Sequence, residues 1–540
     1  MHKRSVISFL IILGLLGGLM LRIYYLSGQQ FSQAAERQAG LTVTVANIRG
    51  TIYDCHLRPL VNSGTEFRAV ATPSPQAIAA LSECLDKESL KELTSRLQAG
   101  RPVVSVINAL PSPTPELSVY EIPSRYTGDL IAPHVVGYMD GDGIKGATGA
   151  ELVFDELLAG CSGKLSVNFA VDAVGKPLQG IEPVVTNTLD NAKAGVALTI
   201  DKDIQIIAES VAKENLKKGA VVIMEPDTGR ILALVSLPDF QPASLHQALE
   251  SKDSPLINRA LSNYNCGSVF KIVTAAAALE KGIPITTRFE CTGSHSIGDV
   301  KFHCHNRLGH GTLGMLDAFA QSCNPYFIRL ALQAGGQQLY DMSTALGFDR
   351  PIILAEGWKT ARAVLPSDTE LASPAAVGNL AFGQGSLMAS PVHIAQLVSS
   401  VVNRGNIIRP TLLRGTVDSR GVLTEQAPAP VQTVFSEATA DKLRQMMIYA
   451  VENGTGTHGA PSIGGAGGKT GTAQTGWVVD GEAVVQGWYA GFYPAEKPEY
   501  VIVVLAEDYE GSGGMPATTF RQICDELSML KTLRETNGIR

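Results

Sequence analysis

The chain has 540 residues, which is too long for one ordinary hydrophobic core and predicts two or three domains. Hydrophobic residues make up 45% and charged residues 18%, a balance typical of globular rather than disordered proteins. The formal net charge is -7 and the sequence holds no basic stripe, which argues against a nucleic-acid partner.

The first segment differs from the rest by its continuous apolar character. Lys3 and Arg4 precede an apolar run from 6 to 21, and after Arg22 the run continues to Leu26. With Arg22 snorkelling to the interface, this length approaches the ~20 residues that cross a bilayer. A cleaved signal peptide is the alternative, but no small-x-small cleavage site follows Leu26. We therefore predict an uncleaved anchor over 1–26, with the basic N-terminus cytoplasmic and the remainder outside.

Residues 27–190 carry no strong catalytic motif. Their first part, 27–46, is polar and predicts a stalk. Residues 75–99 alternate with a helical period and many charges, which predicts a surface helix. We interpret the whole range as a stalk followed by one non-catalytic domain.

Residues 195–535 show the pattern of a layered domain. A strand-like run over 196–200 is followed by Asp201, which is placed to cap a helix reaching about residue 218. Apolar runs at 220–224 and 230–237 flank a turn and predict a hairpin. Further elements are expected over 486–493 and 499–506 (strands) and 518–530 (helix). Strands at both ends with helices between them predict an α/β (α+β) domain with a mainly antiparallel sheet.

The first chemical motif is Ser268-Val269-Phe270-Lys271, at the start of an almost wholly apolar helix over 269–281. Residues i and i+3 share a helix face, so Lys271 can reach the Ser268 hydroxyl. Apolar surroundings lower the pKa of a lysine and let it act as the base that a serine nucleophile needs. Roughly two Ser-x-x-Lys are expected by chance in such a chain. Two others occur, at Ser210/Lys213 and Ser528/Lys531, inside charged helices.

Two further motifs follow in the chain. The first is Ser322-Cys323-Asn324, for which a cap or turn is the simplest interpretation, and Ser166-Val167-Asn168 repeats its pattern. The second is Lys469-Thr470-Gly471-Thr472, the single Lys-Thr-Gly of the sequence, after a glycine-rich run. A nucleotide-binding P-loop would end the same way, but it needs glycine at 463, where Ile463 stands.

These three motifs, in this order, resemble those of penicillin-binding proteins and class A β-lactamases. The resemblance extends from 195 to 530 through several other stretches. They are Leu198-Thr199-Ile200-Asp201, Met224–Leu237, Gly383-Gln384-Gly385, Gly454-Thr455-Gly456 and Trp488-Tyr489-Ala490-Gly491. Residues before 190 resemble the pedestal of class B penicillin-binding proteins, notably at Arg49-Gly50, Asp54 and Gly149-Ala150-Glu151. The family's fold is a β-lactamase-like transpeptidase domain, whose antiparallel sheet is flanked by helices, preceded by an elongated pedestal and a transmembrane helix.

The resemblance implies a serine-type peptidoglycan D,D-transpeptidase that β-lactams acylate. Its implied catalytic residues are Ser268, Lys271, Ser322, Asn324 and Lys469, and its implied substrate-binding residues are Thr470, Gly471 and Thr472. No cofactor and no metal are expected. The implied partners are stem peptides ending in D-Ala-D-Ala, the membrane, and a lipid-linked glycosyltransferase of the elongation or division machinery. A β-lactam sensor or hydrolase on the same fold, and a non-catalytic cell-wall scaffold, are the alternatives.

Eight cysteines are too few here to form a disulfide framework. Cys291 and Cys304 are the best candidate pair because they flank a predicted hairpin. With His295, His303, His305 and His310 nearby, a zinc site is an alternative, but the spacing matches no standard zinc finger. We favour a hairpin with solvated histidines and either a disulfide or free thiols. Cys266 and Cys323 are expected to flank the active site as small packing residues.

Overall fold

The computed structural model describes residues 2–27, 40–172, 174–178, 180–479, 482–507 and 514–538. Most of the predicted stalk, 28–39, lies outside these residues. The described helices are α1 (His2–Ser27), α2 (Pro75–Leu81), α3 (Lys87–Gln98), α4 (Pro133–Val136), α5 (Gly149–Val153), α6 (Asp155–Gly160), α7 (Lys202–Asn215), α8 (Leu245–Glu250), α9 (Lys271–Glu280), α10 (Met315–Ala320), α11 (Asn324–Ala334), α12 (Gly336–Ala345), α13 (Asp368–Leu371), α14 (Pro374–Leu380), α15 (Pro391–Val402), α16 (Glu437–Asn453) and α17 (Met515–Thr536).

The described strands are β1 (Gly40–Ile48), β2 (Thr51–Tyr53), β3 (Gly64–Ala71), β4 (Val103–Ile107), β5 (Leu117–Ser124), β6 (Gly163–Ala170), β7 (Val184–Asn187), β8 (Gly195–Leu198), β9 (Gly219–Met224), β10 (Ile231–Leu237), β11 (Phe289–Cys291), β12 (Ser294–Ile297), β13 (Val300–His303), β14 (Gly311–Leu313), β15 (Ile353–Ala355), β16 (Trp358–Lys359), β17 (Asn406–Ile408), β18 (Leu413–Val417), β19 (Leu423–Glu425), β20 (Val431–Thr433), β21 (Gly467–Val479), β22 (Glu482–Tyr493) and β23 (Tyr500–Ala506). Short 3-10 turns cover Leu189–Lys193, Pro242–Ser244, Gly267–Phe270 and Thr457–Gly459.

The chain divides into two compact units. The first unit comprises residues 1–50, 62–125 and 160–193, and the second comprises 51–61, 126–159 and 194–540. Two stretches that precede residue 190, 51–61 and 126–159, therefore pack with the second unit. The domain boundaries drawn from the sequence, at 26 and near 190–195, remain predictions.

The first unit holds two antiparallel sheets, in the orders β1-β6-β7 and β4-β3-β5. One helix was predicted over 75–99, but the structure has two, α2 and α3. The break spans 82–86, and the carboxylate of Asp86 accepts the backbone N–H groups of Glu88 and Ser89 and so caps the second helix. Helix α1 is exposed over 6–25 and is long and apolar enough to cross a membrane.

The second unit is built on a five-stranded antiparallel sheet in the order β10-β9-β23-β22-β21. Successive residues of β9 point to opposite faces, so Val221 and Ile223 enter one core while Val222 and Met224 enter another. Helices α7 and α17 cover the first face, and α9 and α15 belong to the core on the second. The predicted antiparallel sheet with flanking helices is confirmed.

Local signals read from the sequence also hold in this unit. Asp201 caps α7 by accepting the backbone N–H groups of Asp203 and Ile204, as predicted. The predicted hairpin is β9–β10, and the predicted closing helix is part of α17. A second sheet, β19-β18-β8-β2, pairs β2 in parallel with β8. These layers bring the ends of α9, α11 and β21 together.

Candidate active site

Ser268 lies on a 3-10 turn rather than on the first turn of the predicted α-helix, which begins at Lys271. Two glycines shape the approach to this turn. Gly267 has a φ of 57°, and its N–H donates to the carbonyl of Gly383 at 2.9 Å. A Cβ on Gly383 would lie 2.0 Å from the Gly267 carbonyl oxygen. The backbone before Ser268 thus depends on the absence of side chains at both positions.

Lys271 begins a helix that is buried from Lys271 to Leu279, so its ammonium group has no access to solvent. Its Nζ donates to Ser268 Oγ at 3.1 Å, to the Ser322 carbonyl at 2.7 Å and to Asn324 Oδ1 at 2.7 Å. The Phe327 ring lies 5.6 Å from the same nitrogen. Burial lowers the pKa of Lys271 from 10.5 to about 7. The nitrogen can therefore be neutral near physiological pH while it touches a serine hydroxyl.

Ser322 lies between two lysines. Its Oγ is 3.2 Å from Lys271 Nζ and 2.9 Å from Lys469 Nζ. Its φ is 53°, a left-handed conformation that is uncommon for a residue with a side chain. The Ser322 carbonyl oxygen also accepts a hydrogen bond from Lys271 Nζ, so this backbone conformation presents both the carbonyl oxygen and Oγ to the same amine.

Asn324 opens helix α11 and connects Lys271 to the hairpin β12–β13. Its Oδ1 accepts from Lys271, and its Nδ2 donates to the His303 carbonyl at 3.1 Å. The two ends of one amide thereby fix its orientation. The side chains of Ser268, Ser322 and Asn324 are half-buried, whereas the two amines between them are fully buried.

Lys469 lies on β21, the terminal strand of the five-stranded sheet, and its side chain is fully buried. Burial and the nearby Lys271 hold the pKa of Lys469 well below its ordinary value. The Lys469 amine donates to the Thr470 carbonyl at 2.9 Å, and the Phe319 ring lies 5.7 Å from it. Strand β21 continues into β22 rather than into a helix, which excludes the P-loop alternative.

The residues after Lys469 alternate along the strand. Thr470 is half-buried and Thr472 is exposed, while Gly471 faces inward. A Cβ on Gly471 would meet the Trp488 side chain and Val269 Cγ1 at 3.1 Å. The glycine therefore lets β21 pack against the turn that carries Ser268.

The two other Ser-x-x-Lys sequences have no such surroundings. Lys213 forms an ion pair with Asp239 at 2.8 Å, and Lys531 forms one with Glu499 at 2.6 Å. A carboxylate partner stabilises the charged form of each lysine and raises its pKa. These lysines are poorly suited to act as bases.

All eight cysteines lie in the described part of the chain, and each is a free thiol. The predicted hairpin forms as β12–β13, but no disulfide joins Cys291 to Cys304. Cys266 is fully buried, and burial raises its pKa to about 12, as expected of a packing residue rather than a reactive thiol.

Comparison with known proteins identifies the family. A family model described as "Penicillin binding protein transpeptidase domain" matches residues 219–525, more than half of the chain. The chain belongs to the penicillin-binding protein transpeptidase family. Its predicted membership and fold class are thereby confirmed.

Individual members of the transpeptidase family show how far the similarity extends. Stage V sporulation protein D of Bacillus subtilis is 31% identical over 394 residues, which are 70% of this chain and 59% of that protein. A structure of the D,D-transpeptidase domain of peptidoglycan glycosyltransferase from Eggerthella lenta is 25% identical, with a TM-score of 0.65, and the match covers 91% of this chain and 99% of that one. The imipenem acyl-enzyme of penicillin-binding protein A from Mycobacterium tuberculosis is 27% identical, with a TM-score of 0.56, covering 61% and 79%. The chain spans about three fifths of the length of the curated relatives it matches.

The candidate active site also contains residues to which the sequence alone assigned no role. Thr455 places its hydroxyl 2.8 Å from that of Thr470, and its N–H donates to the Ala320 carbonyl at 3.0 Å. The Gly454-Thr455-Gly456 triplet was the signal for it. Phe319 and Phe327 flank the lysine amines, but no local pattern distinguishes them from other core aromatics.

Proposed function

We propose that this chain is a peptidoglycan D,D-transpeptidase that acts through an acyl-enzyme on Ser268. One observation carries the proposal: two fully buried lysine amines and two serine hydroxyls form a continuous set of contacts from Ser268 through Lys271 and Ser322 to Lys469. The names of the relatives support it, because they include a D,D-transpeptidase domain and an imipenem acyl-enzyme.

Lys271 is the proposed base for acylation. Its neutral nitrogen takes the proton of Ser268 Oγ as the oxygen bonds to the carbonyl carbon of the penultimate D-alanine of a stem peptide. The oxyanion formed in this step is held by the backbone N–H groups of Ser268 and Thr472. A Cβ on Gly267 would lie 2.8 Å from the Thr472 carbonyl oxygen, so the turn that carries Ser268 packs closely against β21. This close packing supports the assignment of both N–H groups to one oxyanion site.

Ser322 is the proposed proton donor to the leaving group. When the bond to the terminal D-alanine breaks, its nitrogen takes a proton from Ser322 Oγ, and Lys271 returns to Ser322 the proton that it took from Ser268, while Lys469 holds Ser322 Oγ in place. The amine of a neighbouring stem peptide then attacks the acyl-enzyme and loses its proton to the neutral Lys271, which passes that proton to Ser268 Oγ as it leaves. Atoms and charges balance over the cycle without a cofactor. Asn324 holds Lys271 in place through the hydrogen bond at 2.7 Å.

Strand β21 is the proposed binding edge for the substrate. It is the terminal strand of its sheet, so an extended stem peptide can add to it by backbone hydrogen bonds. Lys469, Thr470 and Thr472 would bind the terminal carboxylate, and Gly471 allows the strand to lie close to Ser268. A β-lactam would enter the same site and acylate Ser268 as a mimic of D-Ala-D-Ala.

The apolar helix α1 is proposed as a single membrane anchor that leaves the catalytic unit outside the cytoplasm. Its exposed apolar surface over 6–25 supports this assignment. Deleting residues 2–27 should move the chain from the membrane fraction to the soluble fraction. A lipid-linked glycosyltransferase is the proposed partner, since cross-linking acts on newly polymerised glycan strands; co-purification of the two from membranes would test it.

The function is tested with the full chain in detergent micelles, mixed with a fluorescent penicillin and followed over hours by intact mass and gel fluorescence. Ser268→Ala should abolish the adduct. Ser210→Ala, which removes the serine of another Ser-x-x-Lys, is the matched control and should label as the wild type does. An adduct that survives in Ser268→Ala would refute the assignment of the nucleophile.

A second assay separates a transpeptidase from its alternatives. A stem peptide ending in D-Ala-D-Ala is supplied with an acceptor amine, and the release of D-alanine and the new amide are measured. A transpeptidase forms both, a β-lactam sensor labels but forms neither, and a hydrolase clears the penicillin adduct within seconds. A scaffold without activity forms no adduct.

A further inference from the structure

Beside the proposed catalytic site lies a second cluster of reactive side chains. The thiols of Cys291, Cys304 and Cys323 and a ring nitrogen of His310 all lie within 4.8 Å of one another. The three thiols are buried and the imidazole is half-buried. Cys304 Sγ is 3.5 Å from His310 Nδ1. Three thiols and an imidazole therefore converge on one point from separate segments.

The backbone around the cluster is tightly organised. Cys291 ends β11 and His310 precedes β14, and the His310 N–H donates to the Cys291 carbonyl at 3.0 Å. Cys304 follows β13, and its N–H donates to the Gly293 carbonyl at 3.0 Å. Gly293 and Gly309 have φ values of 88° and 85°, and a Cβ on either would lie within 2.2 Å of a backbone oxygen. Both turns need glycine to bring the ligand-bearing strands this close.

Cys323 completes the set from a different part of the fold. It is the N-cap residue of α11, inside the Ser322-Cys323-Asn324 motif, and its side chain is fully buried. The candidate zinc ligands named from the sequence all lie between 291 and 310, and their spacing matches no standard zinc finger. The tertiary structure adds Cys323, which lies 13 residues after His310 and on a different element from the other three.

The geometry favours a metal ion over the disulfide alternative. A tetrahedral zinc ion, with Zn–S about 2.3 Å and Zn–N about 2.0 Å, separates its ligand atoms by roughly 3.5–3.8 Å. The distance of 3.5 Å between Cys304 Sγ and His310 Nδ1 agrees with this value. A disulfide would join two of the three thiols and leave the third thiol and the imidazole unexplained. Soft thiolate ligands together with imidazole select zinc among the common divalent ions.

We propose that Cys291, Cys304, His310 and Cys323 bind a structural zinc ion. Four protein ligands fill the coordination sphere, so the ion has no open position for substrate. Its effect is to tie β11, β13 and β14 to the start of α11, and the hydrogen bond from Asn324 Nδ2 to the His303 carbonyl runs along the same junction. Ser322 and Asn324, on either side of Cys323, would be positioned by it. This consequence rests on the proposed function, whereas zinc binding does not.

The test begins with the metal content of the full chain, purified in detergent without chelators from cells grown with zinc. Elemental analysis by mass spectrometry should find about one zinc ion per wild-type chain. The zinc content of Cys291→Ser and of Cys323→Ser should each fall below about 0.2 ions per chain. Cys524→Ser is the matched control, because Cys524 is equally buried but packs in the other core of the same unit. It should keep its zinc.

Cobalt substitution guards against a variant that only misfolds. When the wild-type chain is stripped of zinc and loaded with Co²⁺, its visible absorption spectrum should show the intense bands of tetrahedral thiolate coordination. Added zinc should displace the cobalt and remove these bands. Removing zinc should lower the melting temperature of wild type and of Cys524→Ser, and should slow penicillin labelling.

Any of three results would overturn the proposal. The wild-type chain could contain no zinc and show no thiolate bands when loaded with Co²⁺, or a non-reducing peptide map could show a disulfide among these cysteines. The third such result is a zinc content of Cys291→Ser and Cys323→Ser equal to that of the wild type. Metal content is read without any activity assay. A chain that binds zinc but never labels with penicillin would therefore refute the proposed function and leave the metal site standing.

Discussion

The contact between Gly383 and Gly267 gives a sharp test of how the backbone places Ser268. In Gly383→Ala, the added Cβ would lie 2.0 Å from the Gly267 carbonyl oxygen, whereas ordinary contact begins near 3.4 Å. The two backbone segments would have to separate by more than about 1 Å to relieve this overlap. One of these two segments, at Gly267, leads directly into Ser268.

A matched variant isolates this effect from the conformational cost of alanine. Gly282 has a φ of 84°, close to the 77° of Gly383, but among the described residues no atom beyond its chain neighbours lies within 4 Å of the position that a Cβ would take. Alanine in the left-handed region costs roughly 1–2 kcal/mol, offset by about 0.4–1 kcal/mol from the stiffer unfolded chain. Gly282→Ala should therefore lose about 1 kcal/mol of stability. Gly383→Ala should lose a further ~1–3 kcal/mol from the overlap.

The decisive difference is expected in acylation. A displacement of about 1 Å at a reacting group can cost about 10²-fold in rate. The second-order rate constant for fluorescent penicillin should thus fall about 10²-fold in Gly383→Ala and stay near wild type in Gly282→Ala. Melting temperatures confirm that both variants are folded at the assay temperature. If Gly383→Ala labelled as fast as Gly282→Ala, the argument that this glycine contact positions Ser268 would fail.

Three further predictions concern the lysine, the strained serine and a buried ion pair. Because the neutral form of Lys271 is the proposed base and its pKa is about 7, the acylation rate should rise about tenfold per pH unit below pH 7 and level off above it, measured with fluorescent penicillin; a flat profile would contradict this. Ser322→Gly suits the φ of 53° and should keep the melting temperature while slowing acylation about 10²-fold, so labelling at the wild-type rate would exclude a catalytic role for the hydroxyl. Arg534→Ala removes a bond of 2.8 Å to the buried Asp201 and should cost about 1–3 kcal/mol in urea unfolding; Arg420→Ala, from an exposed ion pair, is the control and should leave the urea midpoint unchanged.

The sequence by itself determined the local elements of the second unit and the order of its motifs. The cap at Asp201, the hairpin β9–β10 and the closing helix α17 follow from residue types and periodicities that act over a few positions. The apolar character of α9 likewise predicted a buried Lys271. Where a single side chain overrode the period, as Asp86 does between α2 and α3, the prediction of one helix was wrong.

Only the tertiary structure decided which distant residues meet. Ser268 and Lys469 lie far apart in the chain, and their link through Ser322 depends on how α9, α11 and β21 pack, which no local pattern encodes. The same holds for Cys323, whose place beside Cys291, Cys304 and His310 comes from the packing of α11 against the small strands. Local structure is set by short-range backbone and side-chain preferences. Sites built from several segments form when helices and sheets bury their apolar faces against one another, so their residues meet only in the packed tertiary structure.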